Sequence, residues 1–363
     1  MSETDFETLI GLVSQYSPSG HERAAVEWLV KRMKSLGYEN AFLDDAGNAV
    51  GVVGTGSKQV VLLGHIDTVP GEIPVETVGA NGHSPLLYGR GSVDAKGPLA
   101  CFADAVAKVG VREGWQFVVI GAVEEERDSE GARFVATQYK PDFAIIGEPN
   151  QWDRVALGYK GSAWANMTVK RGQAHTASGE QTAAEAAVEV WLKIKSYVDS
   201  FNIDKQKVFD KLLLTLRGME SGSDDFEQWA CLKVGVRLPL EVSPEGWYAK
   251  LNEIVGDSHF QSDCHLSVEK IGFAVPAWGC EKNTPLVRAF LSGIRSQDGE
   301  PRFVYKTGTA DLNIVVPVWK CPAVVYGPGD SALDHTPNEH INLDDYQKAV
   351  DVLSAALIKL TTV

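Results

Sequence analysis

The chain has 363 residues, 44% apolar and 23% charged, with a formal net charge of −14 at pH 7. That length accommodates two domains with a real core, and the acidic balance disfavours nucleic acid, whose phosphates need a basic surface. No run reaches the roughly 18 apolar residues of a membrane span, and the start MSETDFETLIGL lacks the basic and apolar regions of a secretion signal.

The first patterned stretch is Ser19–Glu22, SGHE. Its S-x-x-E spacing is that of a capping box. It opens a predicted helix to about Leu36, with Val26, Leu29, Val30 and Met33 on one face and Gly37 as the stop. Short, β-branched, nearly uniformly apolar runs follow at Ala49–Val53, Val60–Gly64, Phe117–Ala122 and Phe143–Gly147. These are strands of a sheet covered on both faces. A helix over Pro98–Val109 separates two of them, and the alternation predicts an α/β fold. After Gly158 the texture changes. SAWANMTVKR alternates as a half-exposed strand, Thr182–Val198 is an amphipathic helix, and LKVGVRLPL alternates again. NTPLVRAFLSGI then resumes helix, PAVVYGPG a buried strand, and Leu343–Leu360 a closing helix. The expected organisation is a split α/β domain, residues 1–158 and 280–363, around an inserted α+β domain, residues 159–279.

Chemistry gathers at the ends of the apolar strands. Val60–Gly64 runs into His65 and Asp67, two apart and so facing the same way in extended backbone. YGRGSVDAKG presents Asp94 among glycines, AVEEER presents Glu124, Glu125 and Glu126, AIIGEPN presents Glu148, and DHTPNEH offers His335. In open α/β sheets ligands bind outside the carboxyl ends of the strands. At least five carboxylates gathered there repel one another and demand cations. Histidine with carboxylate and no cysteine suits two zinc or cobalt ions. The five cysteines form no CxxC pair, which fits a reduced cytoplasmic protein.

The motifs LLGHIDTV, SVDAKG, EEE, GEP and HTPNEH resemble, in order and over nearly the whole chain, the dizinc metallopeptidase and amidohydrolase family of acetylornithine deacetylase, succinyl-diaminopimelate desuccinylase and carboxypeptidase G. The resemblance implies a zinc-peptidase-like catalytic domain, with helices on both faces of a mixed sheet, and a lid that also dimerises. It implies that His65, Asp94 and Glu148 bind one metal and that Asp94, Glu126 and His335 bind the other, with Asp94 bridging. Asp67 would orient His65, and Glu125 would be the general base. The family usually has Asp-Glu-Glu where this chain has three glutamates. Glu124 is taken as the aspartate equivalent because Gly131–Arg133, GAR, then falls at the family's spacing. A shift by one would make Glu124 the base and Glu125 the ligand. His175, in KRGQAHTA, matches a lid histidine that reaches the partner subunit's site and donates to the oxyanion. Arg237, in VGVRLPL, matches a lid arginine that meets a substrate carboxylate.

Within the family, EKNTPLVRAF, YKTGTADLN, YGPGDSALDHTPNEHI and GYKG look most like the lysine-biosynthesis branch. Its members release lysine or ornithine from the γ-carboxyl of the last glutamate of a small amino-group carrier protein. Lys306, Thr307, Gly308 and Thr309 form a short loop suited to cradle the α-carboxylate. Because such carriers are strongly acidic and this chain is too, docking is expected to use grouped basic residues. The candidates are Lys160, Lys170, Arg171, Lys282 and Arg288. The rival readings are an N-acetyl-ornithine or N-acetyl-lysine deacetylase, a desuccinylase, and a cocatalytic aminopeptidase.

Overall fold

Three of the apolar runs lie side by side. Lys58–His65 pairs in parallel with Trp115–Ala122 on one flank and Phe143–Gly147 on the other, Leu62 standing opposite Val119 and Ile145. The computed structural model describes residues 6–80, 83–175, 177–256 and 264–362. It divides into two units, Met1–Gly158 with Cys280–Tyr305 and Ala310–Val363, and Tyr159–Gly279 with Lys306–Thr309.

In the first unit Ala323–Val325 extends the sheet in parallel beyond Phe143–Gly147. Ala49–Val53 and then Asn40–Leu43 extend the other edge antiparallel. Arg154–Tyr159 meets Ala323–Val325 antiparallel, so the sheet is mixed. Consecutive residues Val60, Val61, Leu62 and Leu63 are all fully buried. Successive side chains point to opposite faces, so both faces are covered. The helix Leu343–Leu360 packs against both Lys96–Val109 and Pro285–Ser296, which ties the end of the chain to its first third. A small antiparallel sheet of Glu76–Ala80, His83–Tyr88 and His340–Asn342 does the same from another side.

The second unit has its own antiparallel sheet, in the order Leu213–Ser223, Glu227–Leu238, Gly161–Gly172, His265–Val275. Ala163, Ala165, Met167 and Val169 alternate inward and join Val190, Ile194, Trp247 and Leu251 of the helices Ala183–Asn202 and Pro244–Gly256 in a separate core. Among the described residues no helix is long and apolar enough to cross a membrane.

The capping box expected at Ser19–Glu22 does not form. The helix runs Arg23–Ser35 with Glu22 as an N-cap that makes no side-chain cap. Glu22 instead accepts from the Gly20 amide, and Ser19 Oγ donates to Asp67 Oδ2 at 2.7 Å. A complete capping box forms at Thr182 and Glu185, where each side chain accepts the other's amide. Such a cap contributes about 1 kcal/mol.

Gly64, Gly121 and Gly147 stand side by side across the parallel strands. A Cβ on Gly64 would lie 3.4 Å from Leu99 Cβ. One on Gly147 would lie 2.9 Å from the Phe102 ring and 3.2 Å from Gly64 Cα. The row of bare backbone lets the helix Lys96–Val109 settle onto the site end of the sheet. Gly147→Val should therefore overpack this contact and lower stability by about 1–3 kcal/mol. Urea unfolding of the metal-free protein reads this, and an unchanged midpoint would show that the helix does not need the close approach.

Candidate metal centre

The parallel register brings the polar strand ends to one edge. His65 ends its strand opposite Ala122, and Gly64 pairs with both Gly121 and Gly147. Glu124–Glu126 and Glu148 therefore leave the sheet at the same level as His65. Glu124 takes a positive φ of 62°, and its carbonyl accepts from the amides of Arg127 and Ser129, so the chain turns back at once. Asp94 sits just ahead of the helix Lys96–Val109, and His335 follows the strand Ala323–Val325, also with positive φ.

These side chains converge. His65 Nε2 lies 3.1 Å from Asp94 Oδ1, His335 Nε2 lies 3.1 Å from Asp94 Oδ2, and the same nitrogen lies 2.9 Å from Glu126 Oε1. Asp94 thus presents one oxygen to each imidazole. His65, Asp94 and Glu126 offer one donor atom each, all within 4.8 Å of one another. Glu126 is the member of the glutamate triple that meets His335. Glu124 is taken up by an ion pair with Arg127.

Asp67 is fully buried and works on the backbone. Its Oδ1 accepts from the Glu125 amide at 3.0 Å, and its Oδ2 from the Glu126 amide at 3.1 Å and from Ser19. His65 Nδ1 lies 3.0 Å from the Asp67 carbonyl and 3.3 Å from Asp67 Oδ1. One carboxylate thereby fixes both the imidazole and the turn that carries Glu125 and Glu126.

The electrostatics follow from crowding. Burial alone would push the Asp94 carboxyl up, but hydrogen bonds and charge from His335 and His65 hold it far below the carboxylate range. Hydrogen bonds to Asp94 and Glu126 raise His335 to about 10. Burial pulls His65 down, yet Asp67 and Asp94 lift it well above the ordinary value. Glu125 and Glu148 go the other way. Burial pushes both well up; the charge of His65 opposes this, and neighbouring carboxylates, Asp311 among them, add to it. Asp311 is buried and is pushed to about 7 by that burial. Asp67, Asp94, Glu125, Glu126 and Glu148 come from the motifs LLGHIDTV, SVDAKG, EEE and GEP. Asp311 lies in YKTGTADLN and was not expected at the site. Its only sequence signal is an acid between apolar residues just ahead of the helix Leu312–Trp319.

The candidates of the second unit group separately. Arg237 Nη1 donates to Thr309 Oγ1 at 3.0 Å, joining the expected arginine to the expected loop. The Lys306 carbonyl accepts from the Lys160 amide, Thr307 is exposed, and a Cβ on Gly308 would meet nothing within 4 Å. His175 is exposed in the loop after Gly161–Gly172. Its Nδ1 accepts from the Ala177 amide at 3.1 Å, so in the neutral ring Nε2 carries the proton. Two of the expected docking cations are not at the surface. Lys160 is fully buried and donates to the Phe209 and Lys211 carbonyls, and Arg171 is buried on Glu180. Lys170, Lys282 and Arg288 are exposed.

Comparison with known proteins gives concordant matches. The profile of peptidase family M20/M25/M40 matches residues 61–359. A Deinococcus radiodurans protein named LysW-lysine hydrolase is 40% identical over 354 residues, covering 96% of this chain and 94% of its own. A Saccharolobus solfataricus protein named LysW-lysine/LysW-ornithine hydrolase is 29% identical, covering 98% and 95%. Among solved structures, a Staphylococcus aureus tripeptidase superposes with a TM-score of 0.76 at 17% identity, covering 98% of this chain and 97% of its own. An M20 family metallo-carboxypeptidase of Sulfolobus solfataricus gives 0.75 at 18%, covering both chains fully. At these identities the structural likeness concerns the fold alone.

The ion pairs of His335 carry a pH signature in protein freed of divalent ions by chelation. Its folded value, about 10, lies above the ordinary 6.5. The stabilisation is therefore fully present below about 6.5 and is lost as pH rises through about 10. The half-exposed ring is screened by water, so the effect is modest. His335→Gln should flatten the fall in melting temperature across that window. Parallel profiles for the two proteins would mean that His335 is not paired with Asp94 and Glu126 in solution.

Proposed function

The chain belongs to peptidase family M20/M25/M40, and we propose that it hydrolyses the amide on the α-nitrogen of lysine or ornithine. The amino acid is released from the γ-carboxyl of a small acidic amino-group carrier protein in lysine biosynthesis, and possession of the ornithine activity would add arginine biosynthesis. The observation that carries the reading is the cluster of His65, Asp94, Glu126 and His335 in a chain alike over its length to hydrolases named for LysW-lysine. The protein is read as a homodimer of the cytoplasm. Leu192 and Val188 lie exposed on the helix Ala183–Asn202 of the second unit, as a self-association face requires.

The donor set fits divalent ions with nitrogen and oxygen ligands, zinc first and cobalt second. His65, Asp94 and Glu148 would hold one, and Asp94, Glu126 and His335 the other, with Asp94 shared. Such a pair supplies Lewis acidity at the amide carbonyl and a lowered pKa for water. Glu125 takes the proton of the attacking water and passes it to the leaving α-nitrogen. Its raised proton affinity suits a group that must accept one. Asp67 keeps Glu125 in place through the Glu125 amide. His175 of the other subunit, with Nδ1 occupied by the Ala177 amide, offers Nε2–H to the oxyanion. Arg237 and Thr309, with Lys306, Thr307 and Gly308, receive the α-carboxylate of the released amino acid.

Replacing the base leaves the ligands intact. Glu125→Gln should retain two metal equivalents by atomic absorption and lose roughly 10²–10⁴-fold in turnover, while Glu124→Gln changes little. A lost metal in Glu125→Gln, with turnover lost in Glu124→Gln, would shift the assignment by one residue.

With Lys160 and Arg171 buried, attraction for the acidic carrier rests on Lys170, Lys282 and Arg288. Reversing these three to Glu should raise KM for carrier-linked lysine, as should added salt. Turnover of N-acetyl-lysine should hardly move. Equal effects on both substrates, or a preference for the small one, would leave a plain acyl-amino-acid deacylase.

A further inference from the structure

Glu339 lies four residues beyond His335, immediately before the strand His340–Asn342, and is wholly buried. Both of its carboxylate oxygens are used. Oε1 accepts from the amides of Val93 at 2.9 Å and Asp94 at 3.0 Å, and Oε2 meets Arg90 Nη1 at 2.8 Å. Its backbone carbonyl accepts from the Gly89 amide at 3.3 Å. Arg90, also buried, donates Nε to the Gly71 carbonyl at 2.9 Å. One ion pair therefore joins three segments: the stretch that follows His65 and Asp67, the turn that carries Asp94, and the loop that carries His335.

Stability alone does not account for such a pair. Desolvating two charges costs about what their attraction returns, and well-packed apolar replacements are often equally stable. What this pair supplies is geometry. The Asp94 amide is pinned to a carboxylate whose own main chain continues from the His335 loop. The approach of Asp94 Oδ2 to His335 Nε2 is thus set through Glu339 rather than left to two separate loops. Neither carboxylate oxygen is left over for a substrate or an ion.

We propose that Arg90 and Glu339 are a positioning pair that fixes the separation of Asp94 from His335, and with it the affinity of the site for its divalent ions. The inference rests on the reading that Asp94 and His335 bind metal. Its test uses the full chain, zinc affinity by competition with a chromophoric chelator, and melting of the metal-free protein. Glu339→Gln and Arg90→Met should each weaken zinc binding about 10–100-fold, the loss typical of residues that orient ligands. Each should also lower the melting temperature, since one buried charge is left unpaired. The double variant should regain the melting temperature but not the zinc affinity, because the Gly71 tie and the anionic anchor remain absent. Arg90→Lys, which keeps the charge and loses the fork, should fold and still bind zinc more weakly, so the test survives if the single variants do not fold. Zinc affinity that returns together with stability in the double variant, or wild-type affinity in Arg90→Lys, would reduce the pair to a structural one. Failure of the unmodified protein to bind zinc would sink the metal reading itself and this inference with it.

Discussion

Negative charge is concentrated at one edge of a buried sheet, and the arrangement around that edge is a set of responses to it. Charges a few ångströms apart in a partly dry site interact far more strongly than they would in water. Three responses are visible. Asp67 spends its charge on backbone amides and Ser19. Asp94 is held between two imidazoles. Glu125, Glu148 and Asp311 are driven towards the protonated form by burial and by neighbouring carboxylates. The second sets carboxylate oxygens against the Nε2 atoms of two imidazoles, which is the environment a cation can take over by displacing protons. The crowding is therefore tolerable without an ion and relieved with one.

The sheet makes that crowding possible. Parallel strands discharge all their carboxyl ends at one edge, and the glycine row lets the helix Lys96–Val109 come down beside them. Asp94 precedes that helix and so enters at the same level as the strand ends. His335 arrives from the far end of the chain, carried by the packing of Leu343–Leu360 on Lys96–Val109.

Much of this could be read directly in the residues. Ala49–Val53, Phe143–Gly147 and Leu343–Leu360 form with the expected bounds. Burial on both faces requires an unbroken apolar run, and an amphipathic helix requires its period, so pattern and structure share one cause. What could not be read depends on partners distant in the chain. The S-x-x-E spacing at Ser19 cannot tell whether the hydroxyl caps its own helix or reaches an aspartate 48 residues on. Lys160 and Arg171 carry no local sign that carbonyls and Glu180 await them inside the fold. Glu339 sits within a motif that drew notice for its histidine, and Asp311 within one noted for its glycine and threonines. Their burial is a property of the assembled sheet edge and not of their neighbours in sequence.

Beside the cluster, Glu339 has Arg90 and two amides, and Lys96, itself wholly buried with Nζ on the Gln15 carbonyl, feels the charges of Glu339 and Asp67. Burial nevertheless pulls that lysine to about 7, so it compensates its neighbours only in part. The carboxyls that burial drives towards the protonated form, Glu125, Glu148 and Asp311, lie around His65. A cation entering from solvent finds carboxylate oxygens and ring nitrogens together between Asp94, Glu126 and the two imidazoles, where it can take the place of protons. The place where imidazole and carboxylate share protons is the place where the donor atoms converge, and the surrounding pair of Arg90 and Glu339 ties the segments that carry them.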